Sequence, residues 1–202
     1  TRGTAENPET FFTHREACNS HYDAIPEVVE HYLGEISKIT GREYHCFSYY
    51  GAEDAENIII LMGSATEPAR EAIDHLTSEG KKVGMISVHL YRPFSVKHLF
   101  AAVPKTVKKI AVLDRTKEPG AEGEPLYLDV KSAFYDQENR PVIVGGRYGL
   151  GSSDITPAKI ISVYNNLELP EPKNHFTVGI VDDVTFTSLP AVEEMALGGK
   201  AI

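Results

Sequence analysis

The sequence predicts an α/β fold: a doubly wound, mostly parallel sheet with helices on both faces, plus extended N- and C-terminal arms. Three observations carry that expectation. Short apolar runs alternate with amphipathic stretches four times between residues 58 and 167. The runs are largely continuous in apolar character, as expected of strands buried on both faces. Each run also ends in a glycine- or proline-bearing turn that hands over to a helical pattern.

Pro26 reads as the opening of the first helix. Val28, Val29, Tyr32, Leu33, Ile36 and Ile39 follow at helical spacing, and Gly41 is placed to end it. The first strand is Ile58-Ile59-Ile60-Leu61-Met62. After a Gly63-Ser64 turn, Ala69, Ala72, Ile73 and Leu76 form a helical stripe that stops at Gly80. Its cap has two candidates: Ser64 with Glu67 reads as a capping box, whereas Thr66 places Pro68 more comfortably in the first turn.

The second cycle is a strand over Val83–Leu90, then Ser95 as cap, then Val96, Leu99, Phe100 and Val103 on one face. The third is Ile110-Ala111-Val112-Leu113, a long Gly/Pro loop, and a helix bearing Leu126, Val130, Ala133 and Phe134. The fourth is Val142-Ile143-Val144, a glycine-rich turn, and Thr156-Pro157 opening a helix with Ile160, Ile161, Tyr164 and Leu167. Both ends depart from the pattern. Residues 1–23 read as an arm that is polar and without clear period, residues 24–169 as the α/β domain, and residues 170–202 as a connector in which Phe176–Val181 is a candidate short strand.

Of the 202 residues, 42% are hydrophobic and 24% charged, which suits a globular chain and not a disordered one. The net charge of −9 argues against nucleic acid as a partner, since phosphate-backbone binders carry a basic face. No apolar run approaches the ~20 residues of a membrane span. Cys18 and Cys46 lie far apart with no CxxC, which excludes a cluster or structural zinc held wholly by this chain's cysteines and fits a cytoplasmic location. No secretory signal is legible, and an opening Thr1 in place of Met leads to the expectation of a piece excised from a longer chain.

In an open parallel sheet, ligands sit beyond the carboxyl ends of the strands. Four loops occupy that edge: Gly63-Ser64-Ala65-Thr66, Tyr91-Arg92-Pro93-Phe94, Asp114 through Glu124, and Gly145 through Ser153. The last resembles a phosphate cradle but matches neither GxGxxG nor GxxxxGK[ST], so a tight-turn or interface loop is the favoured reading. The loop from Asp114 to Glu124 mixes acids and bases as solvated or partner-facing surfaces do. The eight histidines form no ligand spacing, Ser64, Ser87 and Ser95 lack a GxSxG elbow, and Lys105, Lys108 and Lys109 read as a solvated edge.

Longer motifs add what spacing cannot. The stretch Met62-Gly63-Ser64, Glu79-Gly80 and Leu90-Tyr91-Arg92-Pro93-Phe94 resembles the C-terminal domain of the transketolase superfamily. Five further stretches resemble the pyruvate:ferredoxin (flavodoxin) oxidoreductases. They are Arg2-Gly3-Thr4-Ala5-Glu6-Asn7-Pro8, Ala111-Val112-Leu113-Asp114-Arg115-Thr116-Lys117-Glu118-Pro119-Gly120, Pro125-Leu126-Tyr127-Leu128-Asp129-Val130, Gly146-Arg147-Tyr148-Gly149-Leu150-Gly151-Ser152 and His175-Phe176-Thr177-Val178-Gly179-Ile180.

That resemblance implies a second, transketolase C-terminal-like domain of a much longer enzyme. The parent would use thiamine diphosphate, Mg2+, [4Fe–4S] clusters and coenzyme A, and pass electrons to ferredoxin or flavodoxin. It would act as a homodimer, with this domain contacting the other domains of the same enzyme. None of the family's catalytic motifs falls in this chain, so the expected list of catalytic, cofactor-binding and metal-ligating residues is empty. The isolated chain is expected to be inactive. The alternatives are a domain or subunit of another 2-oxoacid:ferredoxin oxidoreductase, or a stand-alone nucleotide-binding α/β enzyme.

Overall fold

The computed structural model describes residues 5–181 and 184–192. Its centre is a six-stranded sheet in the order β1-β3-β2-β4-β5-β6. The strands are β1 (Phe47–Gly51), β2 (Asn57–Leu61), β3 (Val83–Val88), β4 (Lys109–Asp114), β5 (Val142–Arg147) and β6 (Phe176–Thr177). All neighbouring pairs are parallel except β1 against β3. The helices are α1 (Pro8–Ala17), α2 (Asn19–Thr40), α3 (Thr66–Ser78), α4 (Val96–Ala102), α5 (Pro125–Ala133) and α6 (Pro157–Glu168).

Side chains alternate across the buried strands, and the core accordingly divides in two. Ile59, Leu61, Met85, Ala111 and Leu113 face the side covered by α3 and α6. Ile58, Ile60, Ile86, Ile110 and Val112 face Leu99 of α4 and Leu126 and Val130 of α5, with Val29 and Leu33 of α2 packed beside them. This is the doubly wound arrangement expected from the alternation of strands and helices. Tyr164 on α6 is buried and donates its hydroxyl to the Gly84 carbonyl of β3 at 2.8 Å, fixing helix to sheet.

Several elements differ from the expectation. Pro26 opens no helix; it lies buried inside the 22-residue α2, which begins at Asn19. Residues 8–17, read as part of a polar arm without clear period, form α1, with Pro8 in its first turn and Glu9 beside the positive end of the helix dipole. Those start signals were in the sequence, but α1 buries no residue, so no apolar stripe accompanied them. Residues 1–4, 182–183 and 193–202 of the two expected arms lie outside the described residues.

Strand β1 was not anticipated: Phe47-Ser48-Tyr49-Tyr50-Gly51 is short and half-buried, without the apolar continuity of β2. Neither candidate cap of α3 operates. Gly63–Ala65 forms one 3-10 turn ahead of Thr66, whose hydroxyl donates back to the Gly63 carbonyl at 2.9 Å. Ser95 and Thr156 do cap α4 and α6, accepting the N–H groups of His98 and Lys159, each at 3.4 Å. Among the described residues, no helix is long and apolar enough to cross a membrane.

Candidate functional site

The sheet turns back on itself at β2, whose successor β3 lies on one side and β4 on the other. That switch point opens a crevice beyond the carboxyl ends of the strands. A cavity of about 430 Å³ lies there, lined by Gly63 and Ser64 after β2, Tyr91 after β3, Asp114 and Arg115 at the end of β4, and Tyr148 after β5. All four loops marked in the sequence therefore converge on one edge.

Their charged groups are engaged with one another. Asp114 is buried, and its two carboxylate oxygens accept the N–H groups of Leu126 at 3.0 Å and Tyr127 at 3.1 Å in the first turn of α5. Burial pushes its carboxyl above the ordinary range, with those two N–H donors opposing the rise. Glu124, 2% exposed, faces Arg147 Nη1 at 3.5 Å and Lys117 Nζ at 3.6 Å. Arg147 also donates to the His175 carbonyl at 2.7 Å, and Arg115 Nε donates to the Gly149 carbonyl at 3.0 Å.

Arg92 stacks 4.0 Å over the Tyr91 ring and pairs with Asp129 of α5 at 2.7 Å. Burial, followed by the nearby Asp129 carboxylate, pushes the Tyr91 hydroxyl up to about 12, so it stays protonated at neutral pH. Asn174 completes the web: its side-chain oxygen accepts the Gly145 N–H at 2.8 Å and its amide donates to the Tyr127 hydroxyl at 3.1 Å.

The glycines of the supposed phosphate cradle have a different cause. Gly145 and Gly146 belong to β5, and aromatic rings press on both. A Cβ at Gly145 would come within 2.8 Å of the Tyr127 ring, and one at Gly146 would overlap the Phe176 ring. Gly149 and Gly151, at φ 66° and 64°, then turn the chain through a left-handed conformation that only glycine adopts cheaply. The loop is a packing and turning device, in line with its reading as a turn.

Other candidates resolve similarly. Lys108 pairs with Glu56 at 2.7 Å, and Lys109 reaches the carbonyls of Leu167 and Leu169 at the end of α6, so these lysines pin elements together. Sequence reasoning missed one constellation, Ser95–His98–Glu27. Ser95 Oγ lies 2.7 Å from His98 Nδ1, and His98 Nε2 lies 4.0 Å from Glu27. The Ser95-x-x-His98 spacing could have signalled it. Its oxygen already accepts the α4 N–H as a cap, and Glu27 is bound to Lys97 at 2.6 Å, so the arrangement lacks a poised base.

Fold and edge together define a doubly wound α/β domain whose carboxyl-edge loops are cross-braced by buried ionic and amide groups. The chain belongs to the family of pyruvate:ferredoxin oxidoreductase core domain II, whose family model matches residues 55–160. A pyruvate-flavodoxin oxidoreductase of Enterobacter agglomerans is 62% identical over 94% of this chain and 16% of its own length. The pyruvate-flavodoxin oxidoreductase of Klebsiella pneumoniae is 58% identical over 96% of this chain and 16% of its own. The pyruvate:ferredoxin oxidoreductase of Moorella thermoacetica is 50% identical over 98% and 17%. The chain thus spans about a sixth of the length of these relatives.

Proposed function

We propose that this domain is a non-catalytic structural and assembly domain of a thiamine-diphosphate-dependent pyruvate:ferredoxin/flavodoxin oxidoreductase. The parent reaction would take pyruvate and coenzyme A to acetyl-CoA and CO2, with electrons passing to ferredoxin or flavodoxin. The domain would orient its neighbours within a cytoplasmic homodimer. One observation carries this reading: at the carboxyl edge, where a doubly wound enzyme would display its reactive groups, Asp114, Glu124, Arg115 and Arg147 hold the loops to each other.

The chain's own donors do not fit the parent's metal groups. No three His, Cys, Asp or Glu side chains converge on a metal position among the described residues. Cys46 is buried beneath α2, its sulfur donating to the Pro26 carbonyl at 3.6 Å, and burial pushes its thiol up to about 12. An iron–sulfur ligand must be a thiolate. The clusters and the magnesium-held diphosphate would therefore be bound by other parts of the parent.

The test is Arg115→Ala in the full-length enzyme, read by sedimentation and by turnover per assembled enzyme. Weakened assembly with turnover per assembled enzyme held within about twofold is expected; an intact assembly with collapsed turnover would overturn the reading.

A further inference from the structure

Strand β1 is the outer strand at one edge of the sheet. Cys46 accepts the His89 N–H and the Ala52 N–H reaches the Val83 carbonyl. The two-residue alternation of an antiparallel ladder then turns the N–H and C=O groups of Phe47, Tyr49 and Gly51 away from β3; Phe47 is buried, so the accessible part of this edge is Tyr49 and Gly51. Exposed edges are commonly blunted by charge or proline. Phe47-Ser48-Tyr49-Tyr50-Gly51 has neither.

A groove of about 420 Å³ runs beside this edge, between β1 and α3, lined by Tyr50, Ile73, Asp74 and Thr77. Arg70 of α3, one turn before Asp74, holds its guanidinium 4.5 Å above the ring of Tyr50, which lines the groove. The Arg70 Nε is buried and has no hydrogen-bond partner among the described residues. Asp74, one turn away, is engaged by the Tyr50 hydroxyl at 2.5 Å. Arg92 and Arg147, by contrast, each have a carboxylate. A half-buried guanidinium without an ion-paired carboxylate among the described residues is notable in a chain of net charge −9.

We propose that the free edge of β1 receives an extended segment of the surrounding polypeptide as an added strand, with an Asp or Glu of that segment seated on Arg70. Three features select this occupant: main-chain donors and acceptors in a row, an adjoining groove for side chains, and a cation with the fork geometry for a carboxylate. The inference rests on the reading of this chain as one domain of a longer enzyme, and the relatives' greater length supplies candidate segments.

The experiment is residue-resolved hydrogen exchange on the full-length enzyme, wild type and Arg70→Glu. In the wild type, the N–H groups of Tyr49 and Gly51 should exchange at least about tenfold more slowly than an unstructured peptide, and Arg70→Glu should abolish most of that protection. Rapid exchange at both in the wild type, or equal protection in Arg70→Glu, overturns the proposal. Should the charge reversal disturb folding, Arg70→Met keeps the stem over Tyr50, and its protection must also fall. A photo-cross-linker in place of Ser48 identifies the occupant: an acidic peptide from outside these 202 residues supports the proposal. A peptide from a second copy of this domain, or no cross-link, overturns it. Exchange at β1 and the Arg115→Ala readout are independent, so either reading can fail alone.

Discussion

The Asp114 carboxylate at the end of β4 receives the main-chain N–H of Tyr127 at 3.1 Å, across a loop that leaves the sheet and returns as α5. With the Leu126 N–H on its other oxygen, this one side chain closes the long Gly/Pro loop and satisfies two donors at the start of a helix. The same helix then places Tyr127 over Gly145 of the next strand. The first residue of a loop read as a solvated or partner-facing surface is therefore a buried structural cap.

Replacing Asp114 with Ala leaves two buried N–H groups unpaired and should lower unfolding free energy by about 3 kcal/mol, whereas Asn keeps one acceptor and should cost about half as much. The pH dependence has a definite sign. Because burial raises the folded Asp114 carboxyl above the usual 3.8, its charged form costs stability above the folded value, and stability is recovered as pH falls toward 3.8. The stability gap between wild type and Asp114→Asn should therefore widen from about pH 7 to about pH 4 in urea titrations.

Glu30 supplies the opposite sign. Burial works to raise its carboxyl, but the Cys46 N–H at 2.8 Å and the His45 ring at 2.5 Å outweigh burial and leave it below the usual 4.5. Its contribution is fully present above 4.5 and is lost as pH falls through the folded value. In the same titrations, the gap between wild type and Glu30→Gln should shrink on acidification; a gap that grows would show that burial dominates.

Arg147→Ala should cost about 3–5 kcal/mol, because it leaves the 2%-exposed Glu124 with Lys117 alone as its cationic partner. Adding Glu124→Gln should restore a large part of that loss. A double variant no more stable than Arg147→Ala would mean that the bond from Arg147 to the His175 carbonyl, and not the buried charge, is what matters.

Gly146→Ala drives a methyl group into the Phe176 ring and should cost about 1–3 kcal/mol, as overpacking does. Shortening the obstacle with Phe176→Leu should partly rescue it. Gly151→Ala, where a Cβ meets nothing within 4 Å, should show only the conformational penalty of its φ of 64° and no rescue. Thermal unfolding of the four variants separates the two causes.

How much of this was legible beforehand depends on the range of the signal. The strands β2 to β5 announce themselves because a strand buried on both faces needs an unbroken apolar run, and α3 to α6 because one face must meet the sheet. The caps Ser95 and Thr156 act within three residues, and both were readable. The converging loops were legible too, since the carboxyl edge of a parallel sheet follows from strand direction alone.

Tertiary structure decided the rest. Strand β1 exists because β3 offers it a ladder, and nothing within its own five residues compels it. Gly145 and Gly146 looked like a ligand loop because a glycine records that space is needed without saying what fills it; here Tyr127 and Phe176 do. Asp114, Glu124 and Arg147 are local charges in the sequence, and only the fold turns them toward N–H groups and toward each other. Sequence by itself determines what depends on neighbours a few residues away: periodicity, caps and turn chemistry. Which polar atoms lack a partner among the described residues, such as the Arg70 Nε, is settled only when distant segments are brought within hydrogen-bonding range.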